Sequence, residues 1–196
     1  MEFLESLRKR RSIYAIDKSI GIKDQELVDF IREITLNTPS AYNSESQRVV
    51  VLLKDKHDLL WEMIKEEIKK IVKPEDYKKS EEKLNSFKAG YGTVLFFDDL
   101  NTTNALIEKF PLYKANFSKW AIEQNGMLQS NIWVGLESLG IGASLQHYNE
   151  LIEERVKKEF NLDKNWSLNA QMPFGKILVQ PEEKQNKDIK ERVLVF

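Results

Sequence analysis

Cysteine is absent from the 196-residue chain, and histidine occurs only at His57 and His147. The first absence excludes disulfides, thiol nucleophiles, paired-cysteine redox centres and thiolate zinc sites. The second argues against a histidine-rich metal centre or a relay of neighbouring imidazoles. Demanding chemistry on this chain would have to be borrowed from a cofactor. Charge of one sign is lacking too: 30 Lys and Arg balance 31 Asp and Glu, for a net of −1. A dedicated nucleic-acid binder normally carries a clear basic excess, so no nucleic-acid partner is expected. No run approaches the roughly 18 apolar residues of a membrane span, so no membrane partner is expected either. The opening MEFLESLRKRRS has acids at positions 2 and 5 and no apolar core. A secretory signal is therefore not expected, and a cytoplasmic location is the default.

No repeat, low-complexity tract or long linker divides the chain, which reads as one domain over residues 1–196. Residues 2–10 predict a short amphipathic helix with Phe3, Leu4 and Leu7 on one side. A second helix is expected from Asp24, as N-cap, to Leu36, because Leu27, Phe30, Ile31 and Ile34 recur at helical spacing. Arg48–Leu53 is a β-branched run, read as a buried strand. Residues 57–72 predict a helix with Leu60, Met63, Ile64, Ile68 and Ile71 inward and His57 exposed at its polar start. A charged helix over 75–88 leads to a strand at 93–97. The segment 116–139 is the least polar helix and belongs to the core, a subunit interface, or both. A helix at 149–160, a strand at Lys176–Val179 and a terminal strand at Arg192–Phe196 complete the reading. Few strands between long helices predict a sheet covered by helices on both faces, a three-layer α/β arrangement. The final VLVF has no partner close in sequence and must pair with a distant strand or with another subunit.

Four segments carry candidate chemistry. Arg8-Lys9-Arg10-Arg11-Ser12 is a cationic row whose guanidinium groups suit bidentate phosphate contacts; a solvated helix end is the plain alternative. Pro39-Ser40-Ala41-Tyr42-Asn43-Ser44 offers short polar groups and backbone amides to the edge of a planar heterocycle, or is a simple connecting turn. Gly135 precedes Gly140-Ile141-Gly142-Ala143-Ser144-Leu145-Gln146-His147-Tyr148, so three of the eight glycines fall within eight positions. Backbone there approaches something closely or packs tightly. This run lacks the third glycine of a dinucleotide fingerprint and follows a helix instead of a strand. The chain also lacks a Gly-Lys-Ser/Thr phosphate loop and a Gly-x-Ser-x-Gly elbow. His147 beside the glycine turn could be an acid or base, or could serve through packing and backbone. Lys187–Arg192 is a charged approach to the last strand, or a second basic cluster.

Taken in order, these segments resemble the nitroreductase family, over almost the whole chain. The residues carrying the likeness are Arg10-Arg11-Ser12-Ile13, Pro39-Ser40-Ala41-Tyr42-Asn43-Ser44, GYGTVLFF at 90–97, GIGASLQHYN at 140–149 and Glu191-Arg192-Val193. The nearest subgroup is that of the fungal fatty-acid-repression nitroreductase-like proteins and their bacterial relatives. The resemblance implies an α/β (α+β) three-layer sandwich with a mixed, mainly antiparallel central sheet and an intertwined homodimer with FMN at the subunit interface. By that resemblance Arg10, Arg11 and Ser12 take the FMN phosphate and ribityl region, and Lys190 and Arg192 close on the phosphate. Pro39, Ser40, Ala41 and Asn43 reach the flavin ring from the partner subunit. Leu145, Gln146 and His147 face the ring with their backbone, and Lys88 lies near it. Glu45 stands where the family pattern has Gln, and Tyr14 where it commonly has Lys. The implied activity is ping-pong reduction of small planar acceptors, nitroaromatic or quinone-type, with NADH or NADPH as donor and no obligatory side-chain acid or base. The rival reading is a flavin-binding, stress- or lipid-responsive regulatory protein with little turnover.

Overall fold

The run GTVLFFDD, predicted as a strand at its centre, is buried at every position and organises the molecule. The computed structural model describes residues 3–196. In chain order its elements are α1 (Phe3–Lys9), β1 (Ile16–Asp17), α2 (Asp24–Asn37), β2 (Gln47–Leu53), α3 (Asp55–Ile71), α4 (Pro74–Lys88), β3 (Gly92–Asp99), α5 (Leu100–Lys109), α6 (Lys114–Ser138), β4 (Ile141–Ala143), α7 (Asn149–Glu159) and β5 (Trp166–Ile177). The sheet order is β1-β5-β3-β2, with β4 also paired to β5. Every pairing of these five strands is antiparallel. Among the described residues the one parallel contact is an isolated bridge from Ser12 to Ala143.

Side chains alternate across a strand, so the unbroken apolar run of β3 needs cover on both faces. Val94 and Phe96 enter one core with Leu27 and Ile31 of α2 and Leu128, Ile132 and Leu136 of α6. Leu95 and Phe97 enter the other, with Leu60, Trp61 and Ile64 of α3, Phe87 of α4 and Ile152 and Val156 of α7. The expected three-layer α+β sandwich is thus the observed one. Gly175 of β5 lies so close to β1 that a Cβ there would fall on the Asp17 carbonyl oxygen. No helix among the described residues is long and apolar enough to cross a membrane.

Several local expectations are corrected. The N-cap of α2 is Lys23, not Asp24; Glu26 accepts a hydrogen bond from the Lys23 N–H at 3.2 Å. Ile71, expected inside, is exposed because α3 ends there, beyond the layer it covers. The expected start of α1 at residue 2 lies outside the described residues, and its apolar residues Phe3, Leu4 and Leu7 are exposed. Of the strand expected at Lys176–Val179, only Lys176 and Ile177 are strand, as the end of the longer β5; Leu178 and Val179 lie beyond it. The expected terminal strand at Arg192–Phe196 does not form: a single 3-10 turn at Ile189–Glu191 precedes residues without regular structure. Val193, Leu194, Val195 and Phe196 are all exposed and pair with no strand among the described residues.

His57 is the plainest reversal: expected exposed, it is fully buried in the first turn of α3. Its Nδ1 lies 2.8 Å from Thr93 Oγ1, and its Nε2 lies 3.2 Å from the Lys88 carbonyl oxygen. Trp61 Nε1, a donor only, also reaches Thr93 Oγ1 at 3.0 Å. The hydroxyl therefore accepts from Trp61 and donates to Nδ1, and Nε2–H donates to the carbonyl. This is the network of the neutral imidazole, the form that burial favours by pushing the His57 pKa down to about 4. Its contribution to stability is complete above the ordinary value of 6.5 and is lost as pH falls through about 4. Urea midpoints measured from pH 7 to pH 4 should fall more steeply for the native chain than for His57→Gln. Equal slopes would contradict this assignment.

Candidate functional site

The cationic row after α1 does not act as one patch. Lys9 is drawn back to Glu5 at 2.7 Å, one helical turn away, and Arg8 is exposed in the last turn, where a cation suits the helix dipole. Arg10, Arg11 and Ser12 are each half-buried. The Arg10 guanidinium carbon sits 4.3 Å from the centroid of the Trp133 ring on α6. Burial, and next the neighbouring Arg11, lower the Arg10 pKa, while Glu137 acts in the opposite sense. Neither Arg10 nor Arg11 makes an ion pair among the described residues. Two adjacent cations, one of them partly desolvated, thus stand without a carboxylate in ion-pair contact among the described residues.

The same stretch is fastened to the glycine-rich segment. Gly140, at φ +70°, turns the chain out of α6 into β4. The Ala143 carbonyl then accepts the Ile13 N–H at 2.9 Å and the Trp133 Nε1–H at 3.2 Å. Beyond β4, Gln146 exchanges both backbone hydrogen bonds with Gln171 of β5, at 2.7 and 2.9 Å. Its side chain turns inward to Ser144 Oγ at 3.1 Å. The Gln146 backbone is consequently consumed by the sheet. Extended backbone alternates its direction, and the amides of Leu145 and His147 make no hydrogen bond among the described residues. The His147 side chain is exposed and that of Leu145 half-buried. Of the three expected ring-facing residues, Leu145 and His147 retain free backbone.

The loop between α2 and β2 is held in an unusual shape. Tyr42, Asn43 and Glu45 all have left-handed backbone, with φ of 55°, 49° and 48°. Such conformations persist where surroundings over-determine them. Here the buried Gln124 of α6 does so: Oε1 accepts the Ala41 N–H at 2.8 Å, and Nε2 donates to Ser46 Oγ at 2.7 Å and Ser44 Oγ at 3.2 Å. Ser46 passes the chain of bonds on to Asp98 at 2.5 Å. Ser40 Oγ accepts the Glu45 N–H at 3.0 Å, and Asn43 donates to the Glu45 carboxylate at 3.0 Å. The half-exposed Tyr42 ring lies near Phe110, Phe117 and Trp120, with centroids at 5.0, 5.4 and 6.2 Å and the Trp120 plane within 25° of its own. A cavity of about 410 Å³ opens beside them, lined by Pro39, Ser40, Ala41, Tyr42, Trp120 and Gln124 among others.

The remaining expected residues stand apart in the single chain. Lys88 Nζ is 2.6 Å from Glu62, while the Lys88 carbonyl oxygen faces His57. Lys190 and Arg192 lie on an exposed tail whose backbone hydrogen bonds are made within itself. The fold thus brings Arg10, Arg11 and Ser12 to the 143–147 segment. The 39–43 loop, Lys88 and the tail have partners of their own. Gln124 and Trp133 were missed by sequence reasoning; the signal available was a glutamine and a tryptophan on the least polar helix.

The model of the nitroreductase family matches residues 7–176, and the chain belongs to that family, a family of oxidoreductases. HBN1 of Saccharomyces cerevisiae is 33% identical over 184 residues, covering 93% of this chain and 91% of the relative. The nitroreductase CinD from Lactococcus lactis, solved with chloramphenicol, superposes with a TM-score of 0.90 at 38% identity over 100% of both chains. A structure from Desulfovibrio desulfuricans in complex with FMN shares the fold at a TM-score of 0.71 and 18% identity, covering 100% of this chain and 97% of its own.

Gln124 gives this site its most direct stability test. Gln124→Leu should leave the Ala41 amide and Ser46 short of partners, at about 1–3 kcal/mol. A lowered urea midpoint checks this, and an unchanged midpoint would show that the loop holds its shape without Gln124.

Proposed function

We propose that this chain is an FMN-dependent NAD(P)H oxidoreductase that reduces small planar acceptors, nitroaromatic or quinone-type, by a ping-pong cycle. The observation that carries the reading is the joining of Arg10-Arg11-Ser12 to residues 143–147 through one carbonyl oxygen. It sets guanidinium groups that have no ion-pair partner among the described residues beside the Leu145 and His147 amides, which make no hydrogen bond among them. A flavin mononucleotide has the matching parts, a phosphate dianion at one end and a planar ring with polar edges at the other. The residues present therefore fit the group. Arg10, Arg11 and Ser12 would hold the phosphate, and the Leu145 and His147 backbone would lie against the ring.

When bound, FMN supplies hydride chemistry at N5, accepting from NADH or NADPH and donating to the acceptor after the nicotinamide has left. The chain's own work is to bind, orient and exclude water. The cavity beside Tyr42 and Trp120 supports a flat acceptor, because offset aromatic faces favour stacking. No side-chain acid or base is required, which suits a chain whose His57 is locked in a neutral network and whose His147 is exposed.

A homodimer completes the site in this reading. The tail carrying Lys190 and Arg192 is exposed in the single chain, and β2 ends the sheet with an open edge. A groove of about 610 Å³ runs along that edge, lined in part by Ile31, Thr35, Leu36, Val49 and Val51. Pairing of the apolar 193–196 segment with a second copy's β2 would cover both edges at once. It would bring Lys190 and Arg192 toward a phosphate shared at the interface.

Two measurements test the proposal together. Arg10→Ala combined with Arg192→Ala should weaken FMN binding by at least about 100-fold, from two lost charge-assisted contacts, while the urea midpoint changes little. Native protein loaded with FMN should oxidise NADH or NADPH in a manner that depends on added nitroaromatic or quinone. Full flavin retention in the double variant would remove the phosphate assignment. Trace turnover with every acceptor would favour a flavin-binding regulatory protein instead.

A further inference from the structure

We infer that Trp133 is a positioning residue for the cofactor phosphate, holding the Arg10 guanidinium by its ring face so that the charge is aimed yet not neutralised. This rests on the FMN reading above. Cations that must bind an anion face a conflict. A carboxylate partner would fix the side chain but would also quench its charge and compete with the ligand. Free in solvent, the long arginine side chain would lose rotamer entropy on every binding event. An aromatic face avoids both penalties, since its attraction for a cation is directional and leaves the five N–H donors at the guanidinium edge available.

The geometry at α6 meets these conditions. Arg10 lies 4.3 Å over the Trp133 ring. Glu137, one turn further along α6, is close enough for Arg10 to influence it, yet makes no ion pair with it among the described residues. Trp133 is itself fixed at its other edge, where Nε1–H donates to the Ala143 carbonyl oxygen at 3.2 Å. That oxygen also accepts the Ile13 N–H, three residues after Arg10. One indole therefore sets the side chain of Arg10 and shares the bond that sets its backbone. Among the described residues Trp133 makes no hydrogen bond to Leu145, Gln146 or His147, so its direct influence falls on the phosphate end.

The experiment compares FMN with riboflavin, which lacks the phosphate, by equilibrium titration of full-length apoprotein. Trp133→Leu should lower FMN affinity about tenfold, the size of one cation–π contact, and leave riboflavin affinity within about twofold. Trp133→Phe, which keeps a ring under the guanidinium, should recover most of the FMN affinity. In an Arg10→Gln background, Trp133→Leu should have no further effect on FMN. Equal losses for FMN and riboflavin, or a loss that Phe does not restore, would show that Trp133 only packs. Unchanged FMN affinity would also overturn the inference. If the leucine variant fails to fold, Trp133→Met serves with the same expected ratio. A native protein that binds neither flavin would instead bring down the FMN reading on which this inference stands.

Discussion

One carbonyl oxygen, that of Ala143, is the contact on which the rest of the site depends. It receives a backbone N–H from the segment after α1 and an indole N–H from α6, and it belongs to a strand paired with β5. Three parts of the chain more than a hundred residues apart at the extremes are registered by it. Glycine makes this possible: Gly142 lies so near Ile13 and Ile177 that a Cβ would require their side chains to shift. Without that close approach the cationic turn would have no fixed relation to the backbone amides beyond β4.

The sheet supplies the rigid frame. β3 is buried on both faces, so its neighbours cannot slip register without moving apolar side chains from one core to the other. α6 then crosses one face and presents two anchors about two and a half turns apart. Gln124 holds the left-handed loop, and Trp133 holds Arg10. Polar loops with three left-handed non-glycine residues are expensive, and here the cost is offset by a buried hydrogen-bond chain from Ala41 through Gln124 and Ser46 to Asp98.

Much of this was legible in the sequence because it is periodic. The helices α2, α3, α4, α6 and α7 and the strands β2 and β3 were expected from their patterns, whereas α5 (Leu100–Lys109) was not; the cationic turn and glycine-rich run stand out by composition. What escaped was non-local. Gln124 and Ala41 are 83 residues apart, and no pattern within a window shows that one closes on the other. His57 looked solvated because its sequence neighbours are charged; Thr93 and the Lys88 carbonyl, which it meets, come from two other elements, β3 and α4. The terminal VLVF has the composition of a strand, but a strand needs a neighbour, and among the described residues this segment pairs with none.

The central claim, that this fold holds a flavin able to exchange hydride with a nicotinamide, is tested most directly by an anaerobic absorbance spectrum. The purified protein, incubated with FMN and freed of excess, is recorded before and after addition of NADH and of NADPH. The account predicts a retained flavin band that bleaches with at least one donor and returns when a nitroaromatic or quinone is added. A protein that retains no flavin, or one whose flavin neither donor reduces, would contradict it.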